Sequence, residues 1–127
     1  MRGLLDTSVF IAGERERPLR VDRLPDEAAV SVVTIAELAL GVHMANAEYV
    51  RAQRLETLRA VQATYEALPI DEPVAAAFAE LVATARRAGH RPKVPDTWIA
   101  ATARANAVAV YTQDSDFDDL AIDVEHV

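Results

Sequence analysis

The chain has 127 residues, 51% of them hydrophobic, a formal charge of −7 and no cysteine. That length suits one domain over residues 1–127 with a real apolar core, and the absence of cysteine excludes disulfides, thiolate chemistry and Cys-ligated zinc. The acidic balance argues against nucleic-acid binding through a uniformly basic surface, but not against an acidic site that works through a cation.

Gly3-Leu4-Leu5 is a short apolar run stopped by Asp6-Thr7-Ser8, residues that cap a following helix, so it reads as strand, turn and helix start. No apolar run reaches bilayer-spanning length, and the only leader-like stretch, Gly3 to Ala12, is interrupted by Asp6. A cytoplasmic protein with no membrane partner is expected. Glu14 to Asp26 is charged and Pro-containing, which suits an exposed connection carrying Arg15, Arg17, Arg20 and Arg23. Ala28 to Val33 reads as a strand, and Thr34-Ile35-Ala36-Glu37 has the spacing of a capping box opening a helix.

From Ala47 to Leu68, Leu55, Leu58, Val61, Tyr65 and Leu68 recur at helical spacing, which predicts a long amphipathic helix. After an extended Leu68-Pro69-Ile70, the spacing of Val74, Phe78, Leu81, Val82 and Ala85 predicts a second, stopped by Gly89. Its end is basic, with Arg86, Arg87, His90, Arg91 and Lys93. Val94 to Thr97 introduces an alanine-rich helix from Trp98 to Asn106, and Ala107 to Thr112 is the next strand, leading to Asp114. A turn or short helix at Asp116 to Leu120 precedes a last extended piece, Ile122 to Val127. Strands alternating with helices imply a three-layer α/β/α domain with a mainly parallel sheet. In such sheets ligands bind beyond the carboxyl ends of the strands, at the strand-to-helix turns; Asp6, Asp114 and Asp116 fall on such turns, Glu37 follows a strand in the first turn of its helix and Asp96 sits at a helix start, so the five acids could meet on one edge.

Taken singly, Asp6, Glu37 and Asp96 read as helix caps. Taken together, four or five carboxylates on one sheet edge would repel one another and raise each other's pKa unless a cation neutralised them. Mg²⁺ and Mn²⁺ suit all-oxygen ligands. Zinc does not fit, because His43, His90 and His126 lack paired spacing and read as surface or packing residues. A phosphatase-type Asp pair is excluded by Ser8 at the second position, and the four isolated glycines make no phosphate loop. Trp98 reads as core, with base stacking as the alternative.

The residues resemble the PIN-domain ribonucleases, and within them the VapC-type toxins of toxin–antitoxin pairs. The likeness rests on Leu5-Asp6-Thr7-Ser8-Val9, Ser31 to Glu37 with Leu38 and Gly41, Asp96-x-x-Ile99-Ala100-Ala101-Thr102-Ala103, and Thr112-x-Asp114-x-Asp116-Phe117, in that order along nearly the whole chain. The segment from His90 to Pro95 departs from the commoner pattern, which bears on the rim of the site rather than on its acids. The resemblance implies a catalytic cluster of Asp6, Glu37, Asp96 and Asp114 that binds Mg²⁺, or Mn²⁺ in its place, with Asp116 in support. It implies an endoribonuclease that uses activated water and leaves a 5′-phosphate. It also implies a homodimer silenced by a cognate VapB-type antitoxin, for which the two amphipathic helices offer apolar surface. RNA entering an acidic pocket needs flanking positive charge, and the two basic groups named above are the candidates. A PIN-like module that holds RNA or protein without cutting is the alternative; the intact acids argue against it.

Overall fold

The computed structural model describes residues 2–127. Its strands are β1 (Arg2–Leu5), β2 (Glu27–Ser31), β3 (Ala67–Leu68), β4 (Ala109–Thr112) and β5 (Val124–His126). Its helices are α1 (Thr7–Phe10), α2 (Val32–His43), α3 (Glu48–Thr64), α4 (Glu72–Arg87) and α5 (Val94–Ala105), with short 3-10 turns at Val21–Arg23 and Ser115–Phe117. All strand pairs are parallel, in the order β3-β2-β1-β4-β5. The chain winds outward in one direction from β1 to β3 and in the other from β4 to β5, so the direction changes between β1 and β4. That is where a ligand crevice opens in this architecture.

Period-two alternation divides the core. Leu4, Ala29 and Val110 face Val74, Leu81, Ile99 and the alanines of α5, while Leu5, Val30 and Tyr111 pack with Val9, Leu38 and Val61 on the other side. Both faces are covered, which gives the three layers expected. Ile99, Ala100, Ala101, Thr102 and Ala103 are fully buried, and their small size lets α5 sit close to the sheet. Phe78 and Trp98 stack at a centroid distance of 3.8 Å, so the tryptophan belongs to the α4–α5 packing. Gly3 is required where it is, since a Cβ there would run into the Tyr111 ring of the neighbouring strand.

Several boundaries differ from the sequence expectation. Ser31, not Thr34, caps α2 by accepting from Val33 N, so the helix opens at Val32 and Glu37 lies in its second turn outside any capping box. The long helix stops at Thr64, and Ala67–Leu68 pairs with β2 instead. Helix α5 opens at Val94, ahead of Trp98. It ends in a reversal with Ala107 at φ +54, where Val108 N donates to Ala103 O and Ala107 N to Arg104 O. Gly89 closes α4 the same way at φ +80. Among the described residues no helix is long and apolar enough to cross a membrane.

Candidate active site

Asp6 leaves the end of β1 and caps α1, and it is almost wholly buried. Its Oδ2 accepts from Ser8 N at 3.3 Å and from the Thr112 hydroxyl at 3.0 Å. Thr112, the buried last residue of β4, also accepts from Asp114 N at 3.0 Å. Because its proton goes to Asp6, the Ser8 hydroxyl donates to it across 3.2 Å, while Ser8 Oγ accepts from Gln113 N. Two hydroxyls thus tie the acid after β1 to the loop after β4.

Glu37 is placed by a second relay. Thr7 donates to Glu37 Oε1 at 2.7 Å, so the fully buried Thr34 hydroxyl donates in turn to Thr7 Oγ1 across 2.9 Å. Asp114 is held by Arg17 at 2.8 Å, with Arg15 at 3.9 Å, and Asp116 by Lys93 at 3.2 Å. Asp96, in the first turn of α5, makes no cap; its Oδ2 is buried and has no hydrogen-bond partner among the described residues.

The charges feel one another. Burial and then the fields of Asp6, Asp116 and Glu37 push the Asp96 carboxyl up to about 7. Burial raises Asp6 against the hydrogen bonds from Ser8 and Thr112, and raises Glu37 against the Thr7 hydroxyl, with Asp6 and Asp114 adding to the rise. All five predicted acids therefore share one edge of the sheet. Among the described residues no three Asp, Glu or His side chains close into a ligand set. Thr7, Arg17 and Lys93 hold three of the carboxylates instead. The donors are all hard oxygens, and the unpartnered Asp96 oxygen in a negative field fits a hard divalent cation. Thr7, Ser8 and Thr34 read in the sequence as helix-capping residues and Thr112 only as a strand end, with nothing to show that their hydroxyls hold the acids; Thr112, two residues before Asp114, was the nearest signal. Among the described residues, the basic candidates that form ion pairs with the five acids are Arg15, Arg17 and Lys93. The histidines are exposed, His90 and His126 lying beside Asp119 and Asp118.

The family model of the PIN domain matches residues 3–123, and the chain belongs to the PIN-domain family. It is 48% identical over 115 residues to Ribonuclease VapC5 of Mycobacterium tuberculosis, covering 91% of this chain and 84% of that protein. Toxin FitB of Neisseria gonorrhoeae is 34% identical over 121 residues, with 88% of this chain and 87% of that one covered. Among solved structures, the VapBC-5 toxin–antitoxin system of M. tuberculosis superposes with a TM-score of 0.88 at 44% identity, over 99% of this chain and 97% of that one. Within the family the chain groups with the VapC-type ribonucleases.

Proposed function

We infer that this chain is the toxin of a type II toxin–antitoxin pair, an endoribonuclease that hydrolyses RNA phosphodiester bonds in the cytoplasm as a single PIN domain. The observation that carries the reading is Asp96: a half-buried carboxyl with an unpartnered oxygen, set among Asp6, Glu37 and Asp116, on a chain that groups with ribonucleases. Asp6, Glu37, Asp96 and Asp114 would hold Mg²⁺, or Mn²⁺ in its place. A bound cation of this kind supplies Lewis acidity toward the phosphodiester and toward water.

The residues of the chain supply position and proton handling. Thr112 and Ser8 N fix the Asp6 carboxylate before substrate arrives, so little reorganisation is needed during reaction. Glu37, its basicity raised by burial and its orientation set by Thr7, is suited to accept a proton from the attacking water. Asp116, at the rim with Lys93, is suited to orient water. Attack by water leaves a 5′-phosphate and a 3′-hydroxyl.

On the same reading the partners are a VapB-type antitoxin and a second copy of the chain. A groove of about 1140 Å³, lined by Phe10, Leu38, Thr57 and Val61 and reaching Thr7 and Glu37, is where an antitoxin segment would cover the site. The test is cleavage of total cellular RNA by antitoxin-free protein, with Mg²⁺ or Mn²⁺ against EDTA, beside Asp6→Asn and Asp96→Asn. Metal-dependent cuts with 5′-phosphate ends, lost in both folded variants, are expected. A 2′,3′-cyclic phosphate product would overturn the mechanism, and RNA binding without cutting would leave a binding module.

A further inference from the structure

The segment after α1 is tied down at several points. Arg15 N donates to Ile11 O and Arg17 N to Ala12 O, and the Gln113 side chain donates to Pro18 O at 3.0 Å. Glu14 is held by Arg54 of α3 at 2.6 Å. Between the two arginines Glu16 takes φ +55, a left-handed conformation uncommon for a residue with a side chain, and the chain reverses there as Glu16 N donates to Gly13 O. The result is that Arg15 and Arg17 both reach Asp114 Oδ1, although 97 residues separate Arg17 from Asp114. Arg15 also lowers the Glu37 carboxyl by its field. Both guanidinium side chains remain about half exposed, at 47% and 48%.

A guanidinium has five N–H donors, and a single carboxylate oxygen leaves most of them free. A phosphodiester matches that fork as well as a carboxylate does, and must come to this edge to be cut. Phosphate and Asp114 are both anions and compete for the same group. We propose that Arg15 and Arg17 form a phosphate clamp: Arg17 closes on Asp114 in the free protein and exchanges it for a backbone phosphate of RNA. The proposal rests on the nuclease reading, to which it adds a substrate-binding pair and the contact given up on binding. The exchange has a consequence a merely structural ion pair lacks: removing the Asp114 charge frees the clamp.

The experiment is anisotropy of a short labelled single-stranded RNA, in EDTA so that nothing is cut, on the full chain free of antitoxin. Arg17→Ala is expected to raise Kd about tenfold and to lower the log–log salt slope by roughly 0.7; Arg15→Ala/Arg17→Ala is expected to lose more. Arg17→Lys should keep the slope and lose part of the affinity, and it serves if the alanine variant fails to fold. Asp114→Asn is expected to tighten binding, with most of the gain lost in the double-alanine background, whereas any gain from Asp116→Asn, whose partner is Lys93, persists there. An unchanged Kd and slope in folded Arg17→Ala, an equal gain from Asp114→Asn in both backgrounds, or no RNA binding by the unaltered chain would each overturn the clamp. Binding with these couplings but no cleavage in Mg²⁺ or Mn²⁺ would keep the clamp and remove the nuclease; cleavage with an unaltered Kd and KM in Arg17→Ala would do the reverse.

Discussion

Asp96 has one buried oxygen without a partner, and burial with the fields of Asp6, Asp116 and Glu37 holds its carboxyl at about 7 against an ordinary 3.8. At face value that displacement corresponds to about 4 kcal/mol of unfavourable charge. The group is partly exposed, and solvent screening reduces the figure to about 1–2 kcal/mol. Asp96→Asn removes the charge and nearly keeps the shape. It should therefore stabilise the metal-free protein at pH 8 by about 1–2 kcal/mol, or roughly 3–6 °C in Tm, while cleavage falls by about 100-fold or more. The folded chain holds a proton that the unfolded chain releases near 3.8. Stability is thus fully present below that pH, declines as pH rises, and levels off above about 7. Thermal melts in EDTA should show a small gap between variant and parent at pH 4.5 and the full gap at pH 8. Mg²⁺ at about 100 times its Kd should add roughly 2.7 kcal/mol to the parent and less to the variant, closing or reversing the gap. A variant no more stable than its parent at pH 8, or a gap of one size at both pH values, would refute the reasoning.

Thr112→Val keeps the volume but removes the hydroxyl that donates to Asp6 and accepts from Asp114 N; a loss of about 2–3 kcal/mol in denaturant melts is expected, with cleavage reduced in the folded fraction. Ala107→Gly relieves a side chain from its left-handed position after α5 and should raise stability by about 0.5–1 kcal/mol, read as a higher Tm with unaltered cleavage. Phe78→Ala strips the ring stacked on Trp98 and should lower stability by about 2–3 kcal/mol. Because that stack is structural, KM for RNA should not move; a large rise in KM would assign Trp98 to base stacking.

The layers were legible because apolar residues alternate or recur along each element, and the parallel sheet followed from the strand–helix alternation. What escaped depends on tertiary partners. Ser31 and Thr34 are both good caps. The choice falls to Ser31 because β2 stays paired through Ser31↔Leu68, so the helix turns away directly after it. The pairing partner is itself a two-residue edge strand at the end of a helical pattern, too short to carry a period of its own. The five acids could be picked out because each stands at an element end and matches a motif block. Their partners could not: Thr7 meets Glu37 and Arg17 meets Asp114 across 30 and 97 residues of chain.

The distribution of those partners separates the acids into two kinds. Asp114 and Asp116 at the rim have cationic side chains from flexible-stemmed residues, exposed and able to exchange. Among the described residues Asp6 and Glu37 have hydroxyl and amide donors, and Asp96 has an oxygen with none. Burial lifts all three of these inner carboxyls above their ordinary range. A domain selected for stability alone would fill such a place with apolar side chains or a buried cation of its own. Here arginine and lysine stop at the rim, and the negative charge left unmatched lies on Asp6, Glu37 and Asp96. A divalent cation would relieve it there, which is why metal should stabilise the parent more than Asp96→Asn.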